Sequence, residues 1–298
     1  MGTIYRIKEM ARRVVGIENE YLVRRGVQRL FHRGEQTKQV RIHASARKAA
    51  SQFIRLFLSD PRICLKNGME PYFLANSTEK IASIEPSRCP IVCSYYGSPT
   101  VRELPTWEGY DVRMIYVGRN PQSCFNSWLR STFHRHPATY KVKDIRARME
   151  QINDHDQLVA FLLDSYQENE NLIQEWLGCC EDGKATFVPF ENVTSDDPIK
   201  SYNAICKGLN IEYAPDRGVA ILRFYGKLLK SSGGKYSSHS KNKESLDPQY
   251  AEIFERIERT YENRAAATIS RYDVALKSFM ANPSRFDNPS PAVNPRHR

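Results

Sequence analysis

Two spacings of apolar residues alternate along this chain. Tyr110 to Gly118, with Val112, Met114, Ile115, Tyr116 and Val117, is a mainly apolar run of the kind that forms a buried strand. Shorter runs at Gln39 to His43, Ile91 to Tyr95 and Ala185 to Phe190 predict three more strands. Between them the apolar spacing lengthens to that of helices. Ala49 to Ser59 carries Phe53, Ile54, Leu56, Phe57 and Leu58 and is stopped by Asp60-Pro61. Pro121 opens a helix to Ser131, since proline fits the first helical position. Residues 154–178 predict a long amphipathic helix through Leu158, Phe161, Leu162, Leu172, Ile173 and Trp176, ending near Gly178. Asp197-Pro198 starts another that ends at Gly208, and residues 215–230 continue the helical spacing. Pro248 to about Ala281 is predicted as one long final helix, with Tyr250, Ile253, Phe254, Ile257 and Tyr261 on one face.

Strands separated by helices imply an α/β fold: a central, mainly parallel sheet flanked by helices. Three segments are expected. Residues 1–38 form an N-terminal helical segment, with Tyr21, Val23, Val27, Leu30 and Phe31 as its stripe. Residues 39–281 form the main domain. Residues 282–298, rich in Pro, Asn, Arg and Ser, have the composition of a disordered tail.

A chain of 298 residues can bury one large core. No run of about 18 apolar residues occurs, so no membrane span or membrane partner is expected. The seven cysteines are scattered and show no metal-ligand spacing, and an odd count argues against a disulfide framework. With no signal-peptide core between Met1 and Gly16, a reducing, cytoplasmic setting is expected. The net charge of +10 leaves three partners to weigh: nucleic acid, an acidic membrane or a polyanionic small ligand. No basic block is interleaved with aromatics, so nucleic acid is not expected as a partner.

Two places direct the charge toward a small polyanion. The strand at Tyr110 to Gly118 ends in Arg119-Asn120-Pro121, and Ser127 follows Arg119 by eight residues, two turns into the next helix. A guanidinium at a strand end and that hydroxyl can converge on one anion. Upstream, Ile42 to Phe53 is also strand, tight turn and helix, with Arg47, Lys48 and Ser51 at the turn. Backbone N–H groups at a helix N-terminus and the helix dipole favour an anion there. Two such sites on one sheet call for a ligand with two phosphate-like groups.

These segments resemble the sulfotransferase family that uses 3′-phosphoadenosine 5′-phosphosulfate (PAPS). Ala46-Arg47-Lys48-Ala49-Ala50-Ser51 stands where the family has Pro-Lys-Ser-Gly-Thr-Thr or, in many bacterial and tyrosylprotein members, Gly-Arg-Ser-Gly-Thr-Thr. Leu58 to Ile63, the spacing of Arg119-Asn120-Pro121 to Ser127, and Phe190-Glu191-Asn192-Val193 through Gly208-Leu209 extend the similarity over roughly residues 39–278. The chain departs from the pattern at Ala49 and Ala50, which replace a Gly and a Thr. It departs again at Gln52, where cytosolic members place a Trp that stacks on adenine.

The resemblance implies a P-loop-like sulfotransferase fold and transfer of a sulfuryl group from PAPS to a hydroxyl or amine of a small molecule, such as a specialised metabolite, with no metal. Arg47, Lys48, Ala49, Ala50, Ser51 and Gln52 would line the 5′ end of the nucleotide, with Arg47 stabilising charge on the leaving phosphate. Arg119 and Ser127 would hold the 3′-phosphate. Lys235 and Ser237, in a basic Gly-containing loop, correspond to a family loop that closes over the nucleotide. Glu70 is the expected base, as in the tyrosylprotein and bacterial branch. Tyr95 marks where cytosolic members place a His, and His43 is a third candidate. His134 and His136, after the Ser127 helix, could line the acceptor pocket. A P-loop kinase is the alternative, but Arg47-Lys48-Ala49-Ala50 lacks the Lys-Ser/Thr pair that would serve Mg²⁺. A non-enzymatic binding protein, suggested by Ala49 and Ala50, is the third possibility. The oligomeric state is left open.

Overall fold

The computed structural model describes residues 39–45, 49, 51–74, 91–95, 111–133, 140–231 and 248–281. Its sheet has five strands: β1 (Gln39–Ser45), β2 (Glu70–Leu74), β3 (Ile91–Tyr95), β4 (Asp111–Gly118) and β5 (Thr186–Pro189). Their order across the sheet is β2-β3-β1-β4-β5, and every pairing is parallel. The α/β architecture expected from the alternation of strand and helix spacing is present. β2 was not legible in the sequence, because Pro71 interrupts it. An edge strand tolerates a proline where the N–H would face away from the neighbouring strand.

Ten helices lie among the described residues: α1 (Ser51–Leu58), α2 (Pro61–Lys66), α3 (Pro121–Phe133), α4 (Tyr140–Met149), α5 (His155–Glu181), α6 (Phe190–Val193), α7 (Ile199–Gly208), α8 (Pro215–Ser231), α9 (Pro248–Arg264) and α10 (Ala266–Ala281). α1, α7 and α8 pack together on one face of the sheet, and α3, α5, α9 and α10 on the other. Alternation along the strands fixes this layering. On β4, Tyr116 stacks on Trp176 of α5, with ring centroids 5.8 Å apart. Its neighbour Ile115 points the other way, to Gly208 of α7, where a Cβ would lie 2.8 Å from the isoleucine.

β1 is central, yet its sequence alternates like a half-exposed strand. Val40, Ile42 and Ala44 share one face, while Arg41, His43 and Ser45 share the other, and all six are buried. Arg41 is accommodated at the end of α7. Its Nε donates to the Leu209 carbonyl at 2.6 Å and a terminal nitrogen donates to the Asn210 carbonyl at 2.9 Å. The guanidinium therefore satisfies carbonyls that the helix end leaves open. Burial, opposed by Asp111 and aided by Arg113, lowers its pKa to about 10, so it stays charged.

Two helix boundaries differ from expectation. α5 runs past Gly178 to Glu181 and is followed, after Asp182, by Gly183, whose φ of 71° is the left-handed turn that glycine allows. Cys179 and Cys180, packed in the core, hold the extra turn in place. The expected single helix from Pro248 to Ala281 is two, α9 and α10, parted at the buried Ala265. The two pack into different cores. Tyr261 of α9 stacks on Phe125 at 3.9 Å, whereas Tyr272 and Phe279 of α10 meet Phe187 of β5. Among the described residues no helix is long and apolar enough to cross a membrane. The 1–38 segment and the 282–298 tail lie outside the described residues.

Candidate functional site

The order of the strands locates the site. β1 and β4 are neighbours in register from Gln39↔Asp111 to Ser45↔Val117, so their carboxyl ends lie side by side. The helices that follow them diverge: α1 packs on one face and α3 on the other. A crevice opens at such a divergence, and open parallel sheets bind ligands there. In the sequence, Arg47 and Lys48 follow the first of these strands and Arg119 the second.

The β4–α3 turn is held closely. Gly118 has no room for a side chain, since a Cβ would lie 2.6 Å from the Phe187 ring and 3.3 Å from Tyr272. Arg119 follows, its guanidinium carbon 4.9 Å from the centroid of the Phe190 ring. Asn120 caps α3, its Oδ1 accepting from the Ser123 N–H at 3.1 Å. The Asn120 N–H donates to Glu191 Oε1 at 3.1 Å. The other oxygen of Glu191 accepts a short hydrogen bond from the Tyr272 hydroxyl. Burial and the Glu191 carboxylate raise the Tyr272 pKa, so the phenol stays protonated and donates.

Ser127 is buried on the strip of α3 that also carries Cys124 and Ser131. It stands ~9 Å along the helix axis from Pro121 at 1.5 Å per residue. Burial pushes the Cys124 thiol up to about 12, against the pull of Arg119. It is a packed side chain that donates weakly to the Arg119 carbonyl across 3.9 Å.

At the β1–α1 turn, Ala49 is fully buried in the main core. Its methyl packs into the protein at the position where the family resemblance puts a glycine. Ser51 and Gln52 occupy the first two positions of α1. Arg47, Lys48 and Ala50 lie outside the described residues, as do Lys235, Ser237, His134 and His136.

The base candidates separate by register. Glu70 is aligned with Ile91 of β3, and Ile91 with Val40 of β1. That is the amino end of the sheet, five residues before Ser45, or ~16 Å from the turns at about 3.3 Å per residue. Among the described residues β2 is also the edge strand, with β3 between it and β1. The strands therefore do not bring the Glu70 backbone together with that of Arg119. Tyr95 is the last residue of β3, aligned with Ala44, at the carboxyl edge of the sheet. His43 has no exposed surface. Burial, reinforced by Arg55, lowers its pKa to about 3, so it is a neutral core residue.

Sequence reasoning did not single out Glu191 or Tyr272 as functional. Phe190-Glu191 was visible as part of the family-like segment, but nothing local in the spacing links it to a tyrosine 81 residues away. No protein-family model matches the chain, and no curated protein matches it.

Proposed function

We propose that the protein is a sulfotransferase that takes the sulfuryl group of PAPS and passes it to a hydroxyl or amine of a small molecule. The observation that carries this proposal is that the carboxyl ends of β1 and β4 are adjacent and their helices leave for opposite faces; in the sequence Arg47 and Lys48 follow the first strand and Arg119 the second. A ligand with phosphates at two separate positions suits that arrangement better than one with a single phosphate chain. In the proposed reaction the bond between sulfur and the donor's bridging phosphate oxygen breaks. A bond from sulfur to the acceptor oxygen or nitrogen forms, and the acceptor proton passes to a base. Arg47 offsets charge growing on the leaving 5′-phosphate. Arg119 and Ser127 hold the 3′-phosphate through charge-assisted bonds. The acceptor base belongs to the carboxyl edge of the sheet, where β3 ends at Tyr95, and not to Glu70.

Ligand-induced stabilisation tests the proposal without knowledge of the acceptor. A ligand that binds the folded state alone raises the melting temperature by mass action. The expected result is a rise with 3′-phosphoadenosine 5′-phosphate (PAP) and a smaller one with ATP–Mg²⁺. Equal or greater stabilisation by ATP–Mg²⁺ would replace the proposal with a P-loop kinase.

A further inference from the structure

Resting on the nucleotide proposal above, we infer that Glu191, bridged to Tyr272, is a positioning residue that sets the Arg119 turn for the 3′-phosphate. The Glu191 carboxylate uses both oxygens at once. One accepts from the backbone N–H of Asn120, the residue between Arg119 and the start of α3. The other accepts from the Tyr272 hydroxyl on α10. Tyr272 is fully buried and sits edge-on to Phe187 of β5, with ring centroids 5.6 Å apart. It is an anchor with little freedom, and a carboxylate bonded to it is fixed in turn.

The same short helix supplies a second restraint. Phe190, next to Glu191, lies under the Arg119 guanidinium. Adjacent residues of α6 thus hold the backbone after Arg119 and the side chain of Arg119 itself. Asn192 continues the pattern on the other side. Its Oδ1 accepts from the Ser201 N–H at 3.1 Å and the Ser201 hydroxyl at 2.8 Å, tying α6 to α7. α6 is a bracket between both helical layers and the β4–α3 turn. An arginine held this way meets an anion with less loss of freedom than one on a loose turn.

Glu191 carries a negative charge near a proposed phosphate site, and that charge alone would weaken anion binding. A carboxylate at this place favours binding only if fixing the turn outweighs the repulsion. Positioning therefore predicts that removing the carboxylate weakens binding. Mere proximity predicts that removal strengthens it.

The test compares PAP with adenosine 5′-phosphate, which differs from it only in lacking the 3′-phosphate, by calorimetric titration of the full chain. In Glu191→Ala the affinity for PAP should fall about tenfold, the scale of one hydrogen bond to a charged group. The affinity for adenosine 5′-phosphate should stay within about twofold. Glu191→Gln, whose amide can accept from Asn120 and donate to Tyr272, should recover most of the loss. Adding Glu191→Ala to Arg119→Ala should cost nothing more. Tyr272→Phe, which keeps the ring, should show a smaller loss of the same kind and serves if Glu191→Ala does not fold. Equal weakening of both nucleotides, unchanged affinities, or tighter PAP binding would overturn the positioning role alone. A parent chain that does not prefer PAP to adenosine 5′-phosphate would overturn the nucleotide proposal and this role with it.

Discussion

The hydroxyl of Tyr225 donates to Asp60 Oδ2 at 2.9 Å, joining α8 to the cap of α2 across 165 residues of chain. The same carboxylate accepts from the Arg62 N–H at 2.9 Å and from its guanidinium at 2.9 and 2.8 Å. Burial would raise the Asp60 pKa, but the Arg62 and Tyr225 bonds outweigh it and the net shift is downward. A carboxylate held below its ordinary pKa adds stability that is complete above the unfolded value and fades as pH falls through the folded one. Tyr225→Phe should cost about 1 kcal/mol in denaturant melts at neutral pH. The difference between variant and parent should shrink once the pH is low enough to protonate Asp60. A difference that stays constant through acid would show that Asp60 is not the acceptor that matters.

Gly218 lies against Tyr202, and a Cβ there would come within 2.1 Å of the ring. Alanine in place of a glycine inside a helix ordinarily stabilises by about 0.5–1 kcal/mol. Here the sign should reverse. The Tyr202 hydroxyl is fixed on the Tyr213 carbonyl at 2.8 Å, so the ring cannot move away without breaking that bond. Gly218→Ala should therefore destabilise by about 1–3 kcal/mol, the range for overpacking a filled core. Thermal or urea melting decides the sign.

His43 offers a pH test of the core beneath the β1 turn. Its folded pKa is about 3 against an ordinary 6.5, so between these values the unfolded chain binds one more proton than the folded one. Stability should then fall by about 1.4 kcal/mol for each pH unit below 6.5. His43→Asn should flatten that slope, whatever it does to stability at pH 8. A parental slope retained in the variant would place the proton elsewhere.

Arg119 and Glu70 should separate cleanly. Arg119→Ala should weaken PAP binding by about 1.5–3 kcal/mol, the scale of a charge-assisted pair, with a smaller effect from Ser127→Ala. Glu70→Gln should leave both donor binding and kcat near parental, because Glu70 stands at the opposite end of the sheet from both turns. A general base would instead lose about 10²–10⁴-fold in kcat. A loss of that size would mean that β2 is not in the register described.

Much of the fold was legible in the sequence because its causes are local. The apolar run to Gly118 makes a buried strand wherever it is placed, and Pro121 opens a helix because its fixed φ suits the first turn. Asp60-Pro61 ends one helix and caps the next by the same short-range rules. The Arg119 turn and Ser127 could be named from spacing alone, since a strand end and the helix after it are contiguous in the chain. Tertiary structure decided what depends on partners far away in sequence. Which end of the sheet Glu70 stands at is set by the register of β2 on β3, and the residue types of a single strand do not encode register. The break at Ala265 follows from two cores pulling one amphipathic stretch in different directions, with neither glycine nor proline to mark it. Glu191 and Tyr272 meet only because α10 packs on β5. A hydrogen bond across 81 residues leaves no period in the chain, so only the folded packing of helix on sheet could reveal it.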